Sequence, residues 1–151
     1  MKETAARACL AFLLIAAVAL PAAAQSTPLG SWQSIDDETG QPKALLRITQ
    51  RPDGTLSGRI EKLLIAPPVP DPVCIACSDD RKDQPIVGLE IIRGAKQAPG
   101  RMVWEGGRIL DPENGTTYTL RLTPIDNGEK LQVRGSFGPF SRTQTWLRVA
   151  R

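Results

Sequence analysis

Histidine is absent from all 151 residues. Imidazole is the commonest general base near neutral pH and a leading metal ligand, so its absence excludes Ser-His-Asp and Cys-His catalysis and a catalytic zinc site of the usual kind. Cysteine is nearly absent too: Cys9 sits in the N-terminal apolar run, and only Cys74 and Cys77 remain beyond it. Haem attachment at that pair fails, because Ser78 stands where a histidine is required. No apolar run is long enough to cross a bilayer as a helix, which takes about 20 residues. No window keeps a helical period. The basic residues are scattered singly and form no stripe in the sequence, which gives little support to nucleic acid or another polyanion as a partner.

What is present begins with an export signal. Lys2 and Arg7 precede the apolar run Ala8–Leu20, and Pro21 and Ala22-x-Ala24 follow it, so residues 1–24 read as a signal peptide cleaved before Gln25. The remaining 127 residues suffice for one domain, 25–151, with one core. Loss of Lys2, Arg7 and Glu3 leaves 17 basic and 15 acidic residues, a net charge of +2. The expected location is the periplasm, or the medium outside the cell, and no span is expected after cleavage.

From Leu29 onward, short segments rich in Ile, Val, Leu, Thr and Trp alternate with Gly/Pro/Asn/Asp clusters, the pattern of an all-β chain. Strands are expected at 30–35, 44–50, 55–65, 86–93, on both sides of the turn at 111–115, at 130–137 and at 142–149. In the third, Leu56, Gly58, Ile60 and Leu64 should share the buried face. Residues 66–85 carry five prolines and no periodicity, and read as a long loop of the kind used for lids. The best-specified turn is Asp111-Pro112-Glu113-Asn114-Gly115, with proline at the second position and a terminal glycine free to take positive φ. About eight strands in meander order would leave two exposed edges in an open sheet. A single antiparallel up-and-down β-barrel removes both.

Gly30-Ser31-Trp32 resembles the Gly-x-Trp that opens the first strand of lipocalins, where an arginine from the last strand covers the indole. Arg142 or Arg148 supplies it here by position, and Trp32, Trp146 and Arg148 are expected to be structural, as are Asp111 and Gly115 of the turn. The chain as a whole resembles the bacterial family known only as domain of unknown function 2147. The likeness is carried by Gly30-x-Trp32, Asp37-Glu38-Thr39-Gly40, Pro72-Val73-Cys74-x-x-Cys77, Trp104, Gly106-Gly107, Ile109-Leu110-Asp111, Tyr118, Val133-Arg134-Gly135 and Arg142-Thr143-Gln144-Thr145-Trp146, and it runs from about Leu29 to Val149. It implies an exported protein with a lipocalin-like barrel and brings no catalytic residue across to this chain; no cofactor is expected.

An eight-stranded barrel either fills with side chains or holds one small ligand. The expected function is binding of a small apolar or amphipathic molecule, with Met102, Trp104, Tyr118, Leu120 and Leu131 lining the site and Arg134, Arg142 and Gln144 gripping a polar headgroup; for these last three an outer, solvated face is the alternative. Cys74 and Cys77 are expected to form a short disulfide in an oxidising compartment, with a thioredoxin-type redox pair as the sharper reading. Two further functions stay open. A packed barrel would bind another envelope protein through the cysteine-containing loop and the Phe137-Gly138-Pro139-Phe140 turn, although those aromatics more readily plug a barrel end. A hydrolase would use carboxylates alone, from the clusters Asp36-Asp37-Glu38, Asp79-Asp80 with Asp83, or Asp111 with Glu113, which are also the groups able to hold Ca²⁺. No metal is expected.

Overall fold

A computed structural model describes residues 26–150; the expected signal peptide lies outside the described residues. Nine antiparallel strands follow one another: β1 (Gly30–Ile35), β2 (Pro42–Gln50), β3 (Leu56–Leu63), β4 (Glu90–Arg93), β5 (Lys96–Gln97), β6 (Trp104–Leu110), β7 (Thr117–Ile125), β8 (Lys130–Phe137) and β9 (Phe140–Arg148). Their lateral order is β4-β3-β2-β1-β9-β8-β7-β6-β5, and β4 also pairs with β6. That second pairing closes eight strands into the expected up-and-down barrel and leaves β5 outside it. The two-residue β5 falls where a plain turn was expected; both its residues are exposed, so it carries no alternation for a sequence reading to detect.

The circuit consists of two four-stranded meanders, β1–β4 and β6–β9. Within them most ladders are long, with β8 and β9 paired over eight positions, although β3 and β4 pair over three. Between them they are short: Trp32↔Arg148 and Gln33↔Leu147 join β1 to β9, and Ile92↔Ile109 and Arg93↔Arg108 join β4 to β6.

Alternation decides which side chains fill the interior. Trp32, Leu46, Ile48, Leu56, Ile92, Leu120, Leu122 and Leu131 are almost completely buried, each stabilising the fold by about 1.5–3 kcal/mol relative to exposure. Four register shifts interrupt the ladders, and two of them decide which side chains face in. In β3, Ile60 opposes Leu46 but Lys62 opposes Leu45, so one extra residue enters at Glu61. Leu63 therefore turns toward the core and Leu64 does not, contrary to the expected face; Leu64 is 37% exposed. In β6 the register shifts between Trp104 and Gly107, and Gly106 takes φ +76° there, which returns Trp104 to the inner face opposite Leu122.

The turn between β6 and β7 forms as its sequence requires. Gly115 N–H donates to Asp111 O at 2.8 Å, and the Asp111 carboxylate accepts the Glu113 N–H at 2.9 Å. Gly115 has φ +72°, and a Cβ on it would lie 2.0 Å from the Ala76 carbonyl oxygen of the long loop. Gly115→Ala is therefore expected to lower stability by about 1–3 kcal/mol through backbone strain and a forced retreat of that loop. Chemical denaturation of the variant measures this, and an unchanged midpoint would show that the loop does not rest on the turn.

One end of the barrel is closed by Trp32. Its Nε1 donates to Pro28 O at 2.7 Å, and the Arg148 guanidinium lies 4.2 Å from its ring centroid while donating to Leu29 O, Thr27 O and Gly128 O. The covering arginine is thus Arg148. Arg142, six residues earlier on the same strand, stands at the opposite end.

Candidate functional site

The end opposite Trp32 is formed by the turns β1–β2, β6–β7 and β8–β9 and by the long β3–β4 connection, which brings the buried Cys74 and Cys77 against the β6–β7 turn. Along β9 the inner-facing positions run from apolar to polar: Trp146 is buried, Gln144 half-buried and Arg142 exposed. Trp146 Nε1 donates to Gln144 Oε1 at 3.2 Å, and Gln144 Nε2 donates to Asp37 Oδ2 at 2.8 Å. Arg142 forms an ion pair with the same Asp37 oxygen. Asp37 follows β1, and these contacts continue the β1–β9 association past its last paired residues. On the adjoining strands Tyr118 opposes Ile109, and a Cβ on Gly135 would lie 3.2 Å from Tyr118 Cβ, so the tyrosine fills the space a side chain would have taken. Phe137 meets Tyr118 edge-on, centroids 6.2 Å apart at 72°.

Of the eight residues expected around a ligand, Tyr118, Arg142 and Gln144 come together at this end. Leu120, Trp104 and Leu131 lie in the packed layers below, toward the closed end. Met102 is half exposed in the connection between β5 and β6, with its sulfur 3.7 Å from Gln97 Nε2. Arg134 is on the outer wall, opposite Arg121, and donates to Ser141 Oγ at 2.9 Å; the alternation of β8 puts it there. Sequence reasoning did not single out Ile109 or Gly135, although both sit within its motifs. The two aromatics of the β8–β9 turn do not plug the barrel: Phe137 and Phe140 are 59% and 76% exposed, because the strands carry them past the rim.

The long loop is an ordered element. Cys74 and Cys77 form the expected disulfide, and both are buried. Cys74 N–H donates to Gln84 O, Asp83 N–H to Cys74 O, and Ile86 N–H to Pro72 O, so the loop folds back on itself. Buried Arg81 anchors it by donating to Glu90 O at 3.0 Å and to Asp79, and its bonds hold the Asp79 carboxyl down to about 2. On β4, Glu90 is 6% exposed and accepts from Ser57, Arg51 and, at 2.8 Å, Arg93 Nε. Arg93 also grips Asp80, holding that carboxyl below its usual range. Lowered in this way, these acids are anions at neutral pH and do not suit the general-acid role, which needs the opposite shift. Asp36 and Asp111 serve their own turns, and Glu113 pairs with Lys43 at 2.7 Å. Among the described residues no three cysteine or acidic side chains converge as metal ligands would. Two grooves, about 410 and 330 Å³, lie on the outer wall; the first is lined by Arg47, Arg59 and Val87, the second by Arg81, Glu90 and Arg93.

Comparison with known proteins adds a family and a fold. Residues 30–148 match the model of the family described as "Uncharacterized protein conserved in bacteria (DUF2147)". No curated protein sequence matches. Among solved structures the chain is similar to protein HP1028 of Helicobacter pylori, described as belonging to the lipocalin family, with a TM-score of 0.67 at 16% identity over 81% of this chain and 82% of that one. A redesigned β-barrel aligns over 82% of this chain and 91% of its own, at 17% identity and a TM-score of 0.45.

Proposed function

Because the chain belongs to the bacterial family DUF2147 and folds as a lipocalin-like barrel, we propose that it binds one small amphipathic molecule at the end of that barrel opposite Trp32. The observation that carries this reading is the polar chain Trp146–Gln144–Asp37–Arg142 set above an apolar interior. Tyr118, Ile109 and Phe137 offer the apolar body of a ligand a wall, and Arg142 offers an anionic headgroup a charge-assisted partner. Such a headgroup competes with Asp37 for Arg142. The reading also has the protein working in the periplasm, after cleavage before Gln25.

Dodecanoate, dodecylamine and dodecanol, titrated against the mature protein and followed by tryptophan fluorescence, test this directly. Dodecanoate is expected to bind best. Arg142→Ala should weaken it by about tenfold or more, the loss of one charged hydrogen bond, and Asp37→Asn should strengthen it. Native mass spectrometry of protein taken from its own cells is expected to show a chain beginning at Gln25 with one small adduct. Failure of all three probes at millimolar concentration, together with an apo mass, would sink the proposal.

A second reading has its own observation. Phe140, Phe137 and, in the long loop, Ile75 at 72% exposure all sit at the same end, as a protein-docking rim would have them. An apo mass, with a larger complex that Phe140→Ser disperses, is the outcome that favours it.

A further inference from the structure

The arginines that look scattered in the sequence are brought together by the barrel's register. Three pairs stand directly opposite each other across neighbouring strands: Arg47↔Arg59, Arg93↔Arg108 and Arg121↔Arg134. Like charges so placed are destabilising unless something offsets them. In each pair one member has a carboxylate: Glu61 for Arg47, Glu90 and Asp80 for Arg93, Glu105 for Arg121. The other, among the described residues, has only a neutral acceptor. Arg59 donates to Gly88 O at 3.0 Å, Arg108 to Thr119 Oγ1 at 3.2 Å and Arg134 to Ser141 Oγ at 2.9 Å.

Two of these three, Arg108 and Arg134, share one stretch of outer wall. Arg108 opposes Thr119, Thr119 opposes Ser136, and Ser136 opposes Ser141, a row of hydroxyls running from β6 to β9. The Arg108 head lies at Thr119 and the Arg134 head reaches Ser141, two strand spacings or about 10 Å away. Arg121 and Thr143 border the row. Among the described residues two carboxylates are paired on this face: Glu105, shared by Arg121 and, at 3.8 Å, Arg101, and, at the far end of β8 from the hydroxyl row, Asp126 with Lys130. Of the large exposed hydrophobics, only Leu147 stands on an outward position of β6–β9, at the far end of β9, so the face has no apolar wedge for a lipid surface.

From this we propose that the β6–β9 wall binds a soluble acidic saccharide chain. Arg108 and Arg134 hold carboxylate or phosphate groups on separate sugar units, and the hydroxyls of Thr119, Ser136, Ser141 and Thr143 meet the sugar hydroxyls between them. Charge complementarity selects the partner: guanidinium forks pair bidentately with planar anions, and a hydroxyl row both donates and accepts.

The test uses the mature protein and oligogalacturonate of four to six units, with a neutral maltooligosaccharide of equal length, inorganic polyphosphate and phosphatidylglycerol vesicles as comparison arms, read by calorimetry at two salt concentrations. Oligogalacturonate is expected to bind, more weakly at higher salt. Arg108→Gln and Arg134→Gln should each weaken it by about tenfold. Arg59→Gln, on the other side of the barrel, should leave it unchanged. Arg134→Gln relieves its opposition to Arg121, so its melting temperature should not fall, whereas a purely structural arginine would lower it. The proposal is overturned if oligogalacturonate does not bind, if Arg59→Gln weakens it equally, or if polyphosphate or the vesicles bind more tightly than the saccharide.

Discussion

Trp32→Ala is expected to lower the unfolding free energy by about 4 kcal/mol, a large fraction of the roughly 5–15 kcal/mol a domain of this size has in total. The indole is completely buried, and three elements depend on it. Its Nε1–H satisfies the Pro28 carbonyl, its face carries the Arg148 guanidinium, and its edge fills the closed end beneath Leu131 and Leu46 in the same core. Truncation leaves a cavity and removes the ring beneath the guanidinium, though Arg148 keeps its bonds to Leu29 O and Thr27 O. Trp32→Phe separates these contributions. It keeps most of the volume and a π face, losing chiefly one hydrogen bond worth about 1 kcal/mol. Urea denaturation of both variants measures the two effects, and a cost below about 1 kcal/mol for Trp32→Ala would mean that the closed end does not need its plug.

Glu90→Gln is expected to cost about 2–3 kcal/mol. The carboxylate is almost fully buried, and burial pushes its pKa up; the hydrogen bonds of Ser57 and Arg93 and the charges of Arg51 and Arg93 outweigh this and hold it below the usual glutamate value. Breaking a buried pair costs about 3–5 kcal/mol, and the lower figure here reflects the partial exposure of both arginines, which water screens. The pH dependence has a definite sign. A group whose folded pKa is depressed contributes its full stabilisation above its unfolded value, 4.5 for this glutamate, and loses it as pH falls through the lower folded value. Stability of the natural protein should therefore decline in acid below about pH 4.5, and Glu90→Gln should flatten that decline while lowering the plateau. Asp79, held down to about 2, and Asp80 contribute to the remaining slope in the same direction. Equal slopes for variant and natural protein would contradict the assignment.

Glu90 also marks where the sequence was hard to read. It interrupts the apolar run Val87-Gly88-Leu89-Glu90-Ile91-Ile92, and a lone acid there is a signal that strand alternation can absorb without comment. Apart from Arg93, three residues on, its partners lie 39 and 33 residues away, in Arg51 and Ser57, so the local sequence announces little of the cluster. The meander order, the β6–β7 turn, the disulfide and the arginine over Trp32 were legible because each rests on short-range chemistry or on a family likeness. The bulge at Glu61 was not, because its existence depends on what Leu45 and Leu46 pair with across the sheet. Leu64 was misplaced for that reason alone. The site was legible by half: Arg142, Gln144 and Tyr118 share an end because their strands are neighbours, Met102 lies outside because it falls in a connection, and Arg134 takes the outer face that its alternation with Leu131 and Val133 offered as the alternative. The same limit hid the basic wall, since residues 108, 121 and 134 are distant in sequence and adjacent only in register.

The short joins between the two meanders have a consequence for traffic. Opening β1 from β9 breaks two rungs of ladder, the Val149–Ser31 backbone bond, the Asp37 contacts and the contacts of Arg148 with Trp32, Leu29 O and Thr27 O, while the eight-rung β8–β9 ladder stays whole. The join is therefore held mainly by side chains at its two ends, Arg148 at the closed end and Asp37 at the other. The barrel is in that sense a cuff with two clasps. For a ligand of the proposed kind that is too wide for the rim, the β1–β9 join would be the side door, and the ion pair between Asp37 and Arg142 its latch.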